Sequence, residues 1–254
     1  MGKRSIVFVI SMTLVLSYST SAVAQTSGQT GGSATKAVPR TADGKPDLSG
    51  VWWQYQNSRG KRTGLPLTQW AAEQYDYNRD PRPGGENRGR IELDPRAGKD
   101  CFPPSTNFLM TYGDPFEIIQ SPRRILIFYE YDQWIRQFWL DEEAPENVED
   151  LDLTWMGTSF AKWEGDTLVV DTVRMHPISW LDGAGNVRSE KLRTEERFRR
   201  VSYETLEVET TFTDPIAFTM PWKQMMRYEF KPDWKLSERI YCEERWQQRG
   251  IYGY

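Results

Sequence analysis

The sequence has 254 residues, a single histidine, and 36 acidic against 32 basic side chains, which gives a net charge of −4 at pH 7. This balance argues against a nucleic-acid partner, because nucleic-acid-binding proteins usually carry a basic excess. Eleven Trp, twelve Tyr and eleven Phe are many for this length. Aromatic side chains favour strands, and they also line pockets for small molecules.

The first 24 residues have the composition of a secretory signal peptide. Lys3 and Arg4 precede the apolar stretch Ile6–Leu16, and Ala22–Ala24 is a small-x-small site that predicts cleavage before Gln25. The apolar stretch is too short to span a bilayer, and no later stretch approaches that length. We therefore expect a soluble periplasmic or secreted protein without a transmembrane segment. Export leaves 30 basic against 36 acidic side chains, a net charge of −6.

The rest of the chain predicts a linker followed by one domain. Residues 25–36 are mostly Gly, Ser, Thr and Gln, as in flexible linkers. Residues 37–254 are enough for a single β-rich domain. Within it we expect an irregular N-terminal wrap over 37–114 and a part built from hairpins over 115–254.

The two cysteines are Cys101 and Cys242. An exported chain reaches an oxidising compartment, so we predict a disulfide bond between them. Two separate reduced cysteines are the alternative.

One short helix is predicted before residue 115. Thr68 precedes Gln69–Tyr75 in the position of an N-cap. Residues 79–100 are rich in Gly, Pro and Arg, which indicates a loop.

Successive hairpins are predicted from Pro115 onward. A strand over Arg124–Tyr131 turns at Asp132–Gln133 and returns over Trp134–Leu140. The next hairpin turns at Gly165–Asp166, and glycine at the first loop position suits a type II′ turn. That turn would place Trp163 opposite Leu168, Ala161 opposite Val170 and Lys162 opposite Val169.

Two further hairpins follow. One joins Lys191–Val201 to Thr205–Thr213, whose residues alternate between apolar and polar. The other joins Gln224–Phe230 to Lys235–Glu243 through Pro232–Asp233. In total we count about eight to ten strands without long helices between them. The fold class is therefore all-β, and we predict a single antiparallel up-and-down barrel of the lipocalin-like kind, with a sandwich as the alternative.

The stretch Trp163–Thr172, Trp-Glu-Gly-Asp-Thr-Leu-Val-Val-Asp-Thr, resembles a motif of a widespread family of exported bacterial proteins of unknown function. The resemblance covers nearly all of the exported chain and implies no particular activity. At Thr158 the chain departs from the family, in which histidine is common at this place. Other stretches similar to the family are Asp47–Trp52, Pro115–Ile118, Glu196–Arg200, Asp214-Pro215 and Cys242–Glu244.

Several kinds of chemistry are excluded by composition. With His176 as the single histidine, a zinc site built from several His or Cys is excluded. Gly183–Gly185 lacks the third glycine of a dinucleotide motif, and the chain has no Gly-x-Ser-x-Gly elbow. The acidic run Asp141–Asp152 lacks the spacing of a calcium loop, so we interpret it as a solvated loop. We expect neither a metal nor a cofactor.

Three residues are candidates for acid–base chemistry. His176 and Asp182 lie in the long connection Val173–Glu190, and such loops often gate a cavity. Histidine can exchange protons near neutral pH. Glu130 is a carboxylate in a predicted strand, and it is the third candidate. The alternative for His176 is an ordinary histidine on a surface loop.

Other residues are candidates for ligand binding. Arg136 lies in a strand opposite Glu130, one step off register, and a charge on the inward face must be paired. The alternative is that both face solvent. The aromatic residues that could form apolar walls, or simply fill the core, are Tyr129, Trp139, Trp155, Trp180, Trp52 and Trp53.

Three functions follow from these predictions. The first is an exported barrel that binds an apolar or aromatic small molecule. The second is the same barrel acting as a cofactor-independent lyase, isomerase or hydratase. The third is a structural envelope protein with no ligand. A cavity would favour the first two over the third.

Overall fold

The computed structural model describes Gly2 and residues 36–55, 60, 63–79 and 103–241. The proposed signal peptide, almost all of the linker, and both Cys101 and Cys242 lie outside these ranges. Export and the disulfide bond therefore remain predictions. None of the helices in the described ranges has the length and hydropathy that a membrane crossing needs.

The described residues form a closed barrel of nine strands that neighbour one another in chain order. This confirms the predicted all-β barrel. Helix α1 is Gln69–Arg79 and helix α2 is Thr106–Thr111, and Val148–Asp150 forms one turn of 3-10 helix. The strands are β1 (Gly50–Gln54), β2 (Phe116–Gln120), β3 (Arg124–Tyr129), β4 (Ile135–Leu140), β5 (Thr158–Glu164), β6 (Thr167–Val173), β7 (Arg193–Arg200), β8 (Thr205–Thr213) and β9 (Trp222–Phe230).

One neighbouring pair of strands, β4 and β5, is parallel, and the other pairs are antiparallel. A closed ring of strands can alternate in direction all the way round only if their number is even. Nine strands therefore require a parallel pair, which corrects the prediction of a wholly antiparallel barrel. A parallel connection must also return along the barrel, and residues 141–157 provide it. Most of the acidic run Asp141–Asp152 lies exposed in this connection.

The register of the Gly165–Asp166 hairpin is confirmed, whereas in the β3–β4 hairpin Arg136 lies opposite Ile127, three residues from Glu130 instead of one. Trp163 lies opposite Leu168 and Ala161 opposite Val170. Gly165 has a φ of 61°, as the first position of a type II′ turn requires. At the other hairpin, Asp132 and Gln133 both have positive φ, 49° and 56°, which is typical of a type I′ turn.

Three features differ from the sequence predictions. The stretch predicted as an irregular wrap contributes β1 and the short helix α2, besides the expected α1. Thr68 caps α1 through its hydroxyl, 3.3 Å from the Ala71 amide. The fourth hairpin was wrong: in the described chain beyond Phe230 an isolated bridge, Tyr131 with Arg239, replaces a strand, and β9 pairs with β1 instead.

Strand β1 closes the barrel by pairing with both β2 and β9. Gly50 begins this strand with a φ of 111°. A Cβ atom there would lie 2.6 Å from the ring of Phe230. Glycine is therefore required for β1 to approach β9, because other residues disfavour this φ and would collide with the ring.

The barrel has two different ends. At the hairpin end, tight turns join β2 to β3, β5 to β6, and β7 to β8. At the loop end, where β6 finishes at Val173, long loops over 174–192 and 214–221 pack with α1 and α2. Ser105, the N-cap of α2, donates from its hydroxyl to the carbonyl of Leu181 at 2.6 Å. All six residues of α2 are buried, so this helix closes the loop end.

Candidate functional site

The inward face of the barrel changes in character from one end to the other. Towards the hairpin end it is apolar, with Ile125, Leu168, Leu206 and Val208 in the main core. Towards the loop end it becomes polar. We call the polar group the lumen cluster, and it consists of the buried residues Tyr129, Arg136, Ser159, Thr172, Thr194 and Glu196.

Arg136 organises the lumen cluster from β4, and its residue is only 1% exposed. It makes a bidentate ion pair with Glu196 on β7, in which Nη1 donates to Oε1 at 3.0 Å and Nη2 donates to Oε2. Nη2 also donates to the Thr172 hydroxyl at 2.8 Å. Ser159 lies 2.8 Å from the same hydroxyl. Burial lowers the pKa of Arg136, but the charge and hydrogen bonds of Glu196, together with the neighbouring phenol of Tyr129, raise it by more, so the guanidinium is charged.

Three polar atoms of the lumen cluster lack a hydrogen-bond partner among the described residues. They are Tyr129 Oη, Arg136 Nε and Thr194 Oγ1. Burial raises the pKa of Tyr129 to about 12, so the phenol is neutral and can donate at neutral pH. Buried polar groups are almost always paired. The Tyr129 phenol and the Arg136 guanidinium nevertheless lie close enough to shift each other's pKa, so the unpaired atoms form one group that water or a small molecule could bridge.

Apolar rings surround the cluster. The ring of Phe138 lies 4.8 Å from the Arg136 guanidinium and 5.6 Å from the ring of Phe198. Tyr228 is also buried, but its hydroxyl donates to the carbonyl of Met110 in α2 at 2.8 Å. The two buried phenols therefore differ, since that of Tyr228 bonds to the backbone and that of Tyr129 lies beside the Arg136 guanidinium.

The structure places Glu130 away from the lumen cluster. Its carboxylate accepts the backbone amide of Ser237 at 2.8 Å and lies 3.9 Å from Arg239. The possible Glu130–Arg136 contact does not form, and the carboxylate that binds Arg136 is Glu196, 60 residues along the chain. Sequence reasoning missed Glu196 because both faces of β7 carry charges.

His176 and Asp182 make contacts with different neighbours. The imidazole of His176 stacks on Trp155 at 4.6 Å, and its Nδ1 is buried without a hydrogen-bond partner in the described chain. Asp182 accepts the Ala184 amide at 2.9 Å and the Asn186 side-chain amide at 2.8 Å. These bonds hold the turn in which Asp182 lies.

The other aromatic candidates are dispersed. Trp52 is in the core, and its indole donates to the carbonyl of Leu48 at 2.8 Å. Trp53 donates to Gly113 at 2.7 Å. Trp139 is on the outer face of β4 and is 38% exposed. Trp180 is buried beside a cleft at the loop end.

A cleft of about 590 Å³ lies at the hairpin end, outside the lumen cluster. Its polar lining includes Gln120, which accepts the Leu48 amide at 2.8 Å and donates to the Pro46 carbonyl at 3.3 Å. Asp141 and Asp43, also in its lining, are exposed. The size of this cleft does not by itself mark a binding site, because Gln120, which is half-buried in its lining, already has its hydrogen-bond partners within the protein.

Comparison with protein-family models, characterised proteins and solved structures finds no match for this chain. The function is therefore argued from the geometry of the barrel and of its polar residues.

Proposed function

We propose that this chain is an exported barrel protein that binds a small molecule in its lumen. The molecule has an apolar or aromatic body and a neutral polar group that seats on the lumen cluster. The observation that carries this proposal is the set of three unpaired polar atoms, Tyr129 Oη, Arg136 Nε and Thr194 Oγ1.

The charge of the cluster selects the kind of polar group. Glu196 neutralises Arg136 through two hydrogen bonds, so an anion would meet the buried carboxylate without an uncompensated cation. The free atoms are mainly donors, since Arg136 Nε–H can only donate and the neutral phenol of Tyr129 can donate. A carbonyl or hydroxyl oxygen on the ligand is therefore the best match.

The rings around the cluster favour an apolar body. Phe138, Phe198 and Tyr228 belong to the main core, and an aromatic ligand could replace ring contacts of the same kind. Apolar walls with a few placed polar groups are the usual composition of a small-molecule site.

The catalytic alternative has weaker support. A cofactor-independent lyase, isomerase or hydratase would need a proton carrier beside the substrate. Glu130 and Asp182 are engaged by backbone amides. In the lumen the neutral phenol of Tyr129 could donate a proton, and this observation keeps acid–base chemistry as the second candidate.

The first experiment is native mass spectrometry of the protein purified from its own cell envelope. We expect a co-purified neutral molecule that organic solvent extracts. In parallel, binding of 2-acetylnaphthalene and of 2-ethylnaphthalene can be compared by calorimetry, because the two differ in the presence of a carbonyl acceptor. We expect the ketone to bind more tightly.

Matched variants separate a ligand site from a structural cluster. Tyr129→Phe should reduce the preference for the ketone by about tenfold, since a hydrogen bond in a buried site contributes about 1 kcal/mol or more. Tyr228→Phe removes a phenol that is already paired and should keep the preference. If neither naphthalene binds, and a crystal structure shows only water on the three atoms, the structural alternative is correct.

A further inference from the structure

A second polar group lies outside the lumen, in a cleft of about 320 Å³ at the loop end. Helix α1 and the loop 174–192 form most of its lining. The lining residues used below are Trp70, Ser179, Trp180, Arg188, Glu190 and Ile216.

Arg188 is a buried guanidinium in this cleft, with 2% of its residue exposed. Its Nη2 donates to the Ser179 hydroxyl at 2.9 Å, and its Nε donates to the Ser179 carbonyl at 3.3 Å. Its Nη1 has no hydrogen-bond partner in the part of the chain that the structure describes. Arg188 is thus held in place while one of its nitrogens remains available.

The carboxylate that acts on Arg188 electrostatically, Asp214, is engaged elsewhere. It accepts the Ser189 amide and hydroxyl, both at 2.7 Å, and the Ala217 amide at 3.0 Å. Burial lowers the pKa of Arg188 to about 10, and the charge of Asp214 offsets only part of this effect. The guanidinium is still protonated at neutral pH.

Trp180, another residue of the cleft lining, carries a second unpaired donor. The residue is 1% exposed, and its indole Nε1 has no partner among the described residues. Large apolar side chains lie at the rim, where Trp70 is 42% and Ile216 is 44% exposed. The cleft therefore combines a buried cation, an N–H donor and apolar walls.

We propose that the loop-end cleft binds a small monocarboxylic acid, with the carboxylate on Arg188 and the apolar body against Trp70 and Ile216. A single negative charge fits because Arg188 supplies a single positive one. Asp214 and the rim residue Glu190 are both acidic, and they would repel a dianion such as phosphate. A guanidinium is also well shaped for a carboxylate.

This site is independent of the proposed lumen site. The lumen cluster contains a compensated arginine and takes a neutral group, whereas the loop-end cleft contains an uncompensated arginine and takes an anion. The cleft volume lies near the lower end of the range of about 300–1,000 Å³ for small-molecule pockets, which favours a compact acid.

The test uses 2-naphthoate, with 2-naphthamide as the uncharged analogue and inorganic phosphate as the anion without an apolar body. Calorimetry gives the affinity. The indole resonance of Trp180, observed with ¹⁵N-labelled tryptophan and assigned through Trp180→Phe, gives the location. We expect 2-naphthoate to bind and to shift this resonance, while the amide and phosphate bind at least about tenfold more weakly.

Two variants locate the charge and the wall. Arg188→Met should weaken 2-naphthoate by about tenfold to a hundredfold, because a hydrogen bond to a charged partner is lost. Arg193→Met is the matched control: this exposed arginine pairs with Asp171 outside the cleft, so affinity should not change. Trp70→Ala, at an exposed position, should fold and should weaken binding several-fold.

Three results would overturn the proposal. One is the absence of a Trp180 shift and of measurable binding with 2-naphthoate. Another is equal affinity for 2-naphthoate and 2-naphthamide. The third is an unchanged affinity in Arg188→Met, or in Trp70→Ala if Arg188→Met does not fold. None of these bears on 2-acetylnaphthalene, so failure here is distinguishable from failure of the lumen proposal.

Discussion

Arg136 and Arg188 are both almost completely buried, but their surroundings differ. Arg136 faces the carboxylate of Glu196 at hydrogen-bond distance, whereas Arg188 bonds to Ser179 and has no carboxylate within ion-pair distance in the described chain. A buried charge is costly unless it is compensated. In the lumen the protein itself supplies the counter-ion of Arg136. In the loop-end cleft Arg188 has none at ion-pair distance among the described residues, and we propose that a ligand supplies it.

This difference shows that the position of the counter-ion, and not burial alone, determines whether a site binds a neutral or a charged group. In the lumen, the ion pair orders neighbouring hydroxyl groups such as Thr172, and the atoms that remain unpaired carry no uncompensated charge. In the cleft, the charge itself remains unpaired. Counting buried charges would treat both regions alike, and only the position of the counter-ion separates them.

The largest effect is expected when the lumen pair is broken. Glu196→Gln leaves Arg136 charged and uncompensated, and should reduce the free energy of unfolding by about 3–5 kcal/mol. Urea denaturation measures this. The double variant Arg136→Met/Glu196→Met removes both charges and should recover most of the loss. A Glu196→Gln protein within about 1 kcal/mol of the parent would mean that the pair is not buried as described.

A much smaller effect on stability is expected in the cleft. Arg188→Met removes a charge that lacks a counter-ion, so the free energy of unfolding should fall by no more than about 1 kcal/mol, the cost of the bonds to Ser179. A loss as large as that of Glu196→Gln would show that Arg188 is compensated within the protein, and the comparison would fail.

The smallest effect is expected on the outer surface. Glu207 accepts from Arg199 and from Arg227, both at 2.9 Å, and the hydrogen bond from Arg199 is the main reason that its pKa is lowered. The arginines are exposed, so Glu207→Gln should cost at most about 1 kcal/mol.

The effect of Glu207→Gln on the free energy of unfolding depends on pH, and the direction of this dependence can be predicted. Because the pKa of Glu207 is lower in the folded state, its contribution is complete above its unfolded pKa of about 4.3 and is lost as the pH falls through the folded pKa. The difference in unfolding free energy between parent and Glu207→Gln should therefore be constant near neutral pH and shrink in acid. An equal difference in unfolding free energy at all pH values would contradict this prediction.

Local sequence signals were sufficient for the existence of three of the four predicted hairpins. Gly165 and the Asp132–Gln133 pair determine tight turns, and alternation then assigns register, as at Trp163 opposite Leu168. The parallel pairing of β4 with β5 left no such signal, because it depends on closure of the whole ring. Glu196 also left no local signal. On β7 the inward residues Thr194 and Glu196 alternate with polar outward residues, so the sequence pattern does not distinguish the two faces.

The candidate sites were harder to predict than the fold. Tyr129 was predicted as part of an apolar wall and Arg136 as a charge that must be paired if it faces inward, and both lie in the lumen cluster. Arg188 was missed, since a lone arginine in a polar loop looks solvent-exposed. Its burial comes from α1 and from Ile216, which are distant in sequence and become neighbours only after folding.

The parallel junction between β4 and β5 has a consequence for how the barrel opens. It is held by three residue pairs, Phe138–Ser159, Trp139–Phe160 and Leu140–Ala161, and β1 joins β9 and β2 through three pairs each as well. These short seams separate two continuous meanders, β2–β4 and β5–β9, with β1 between them. Amide exchange should be fastest along the seams, so a guest could reach the interior sideways, through a parting wall, while both ends stay shut.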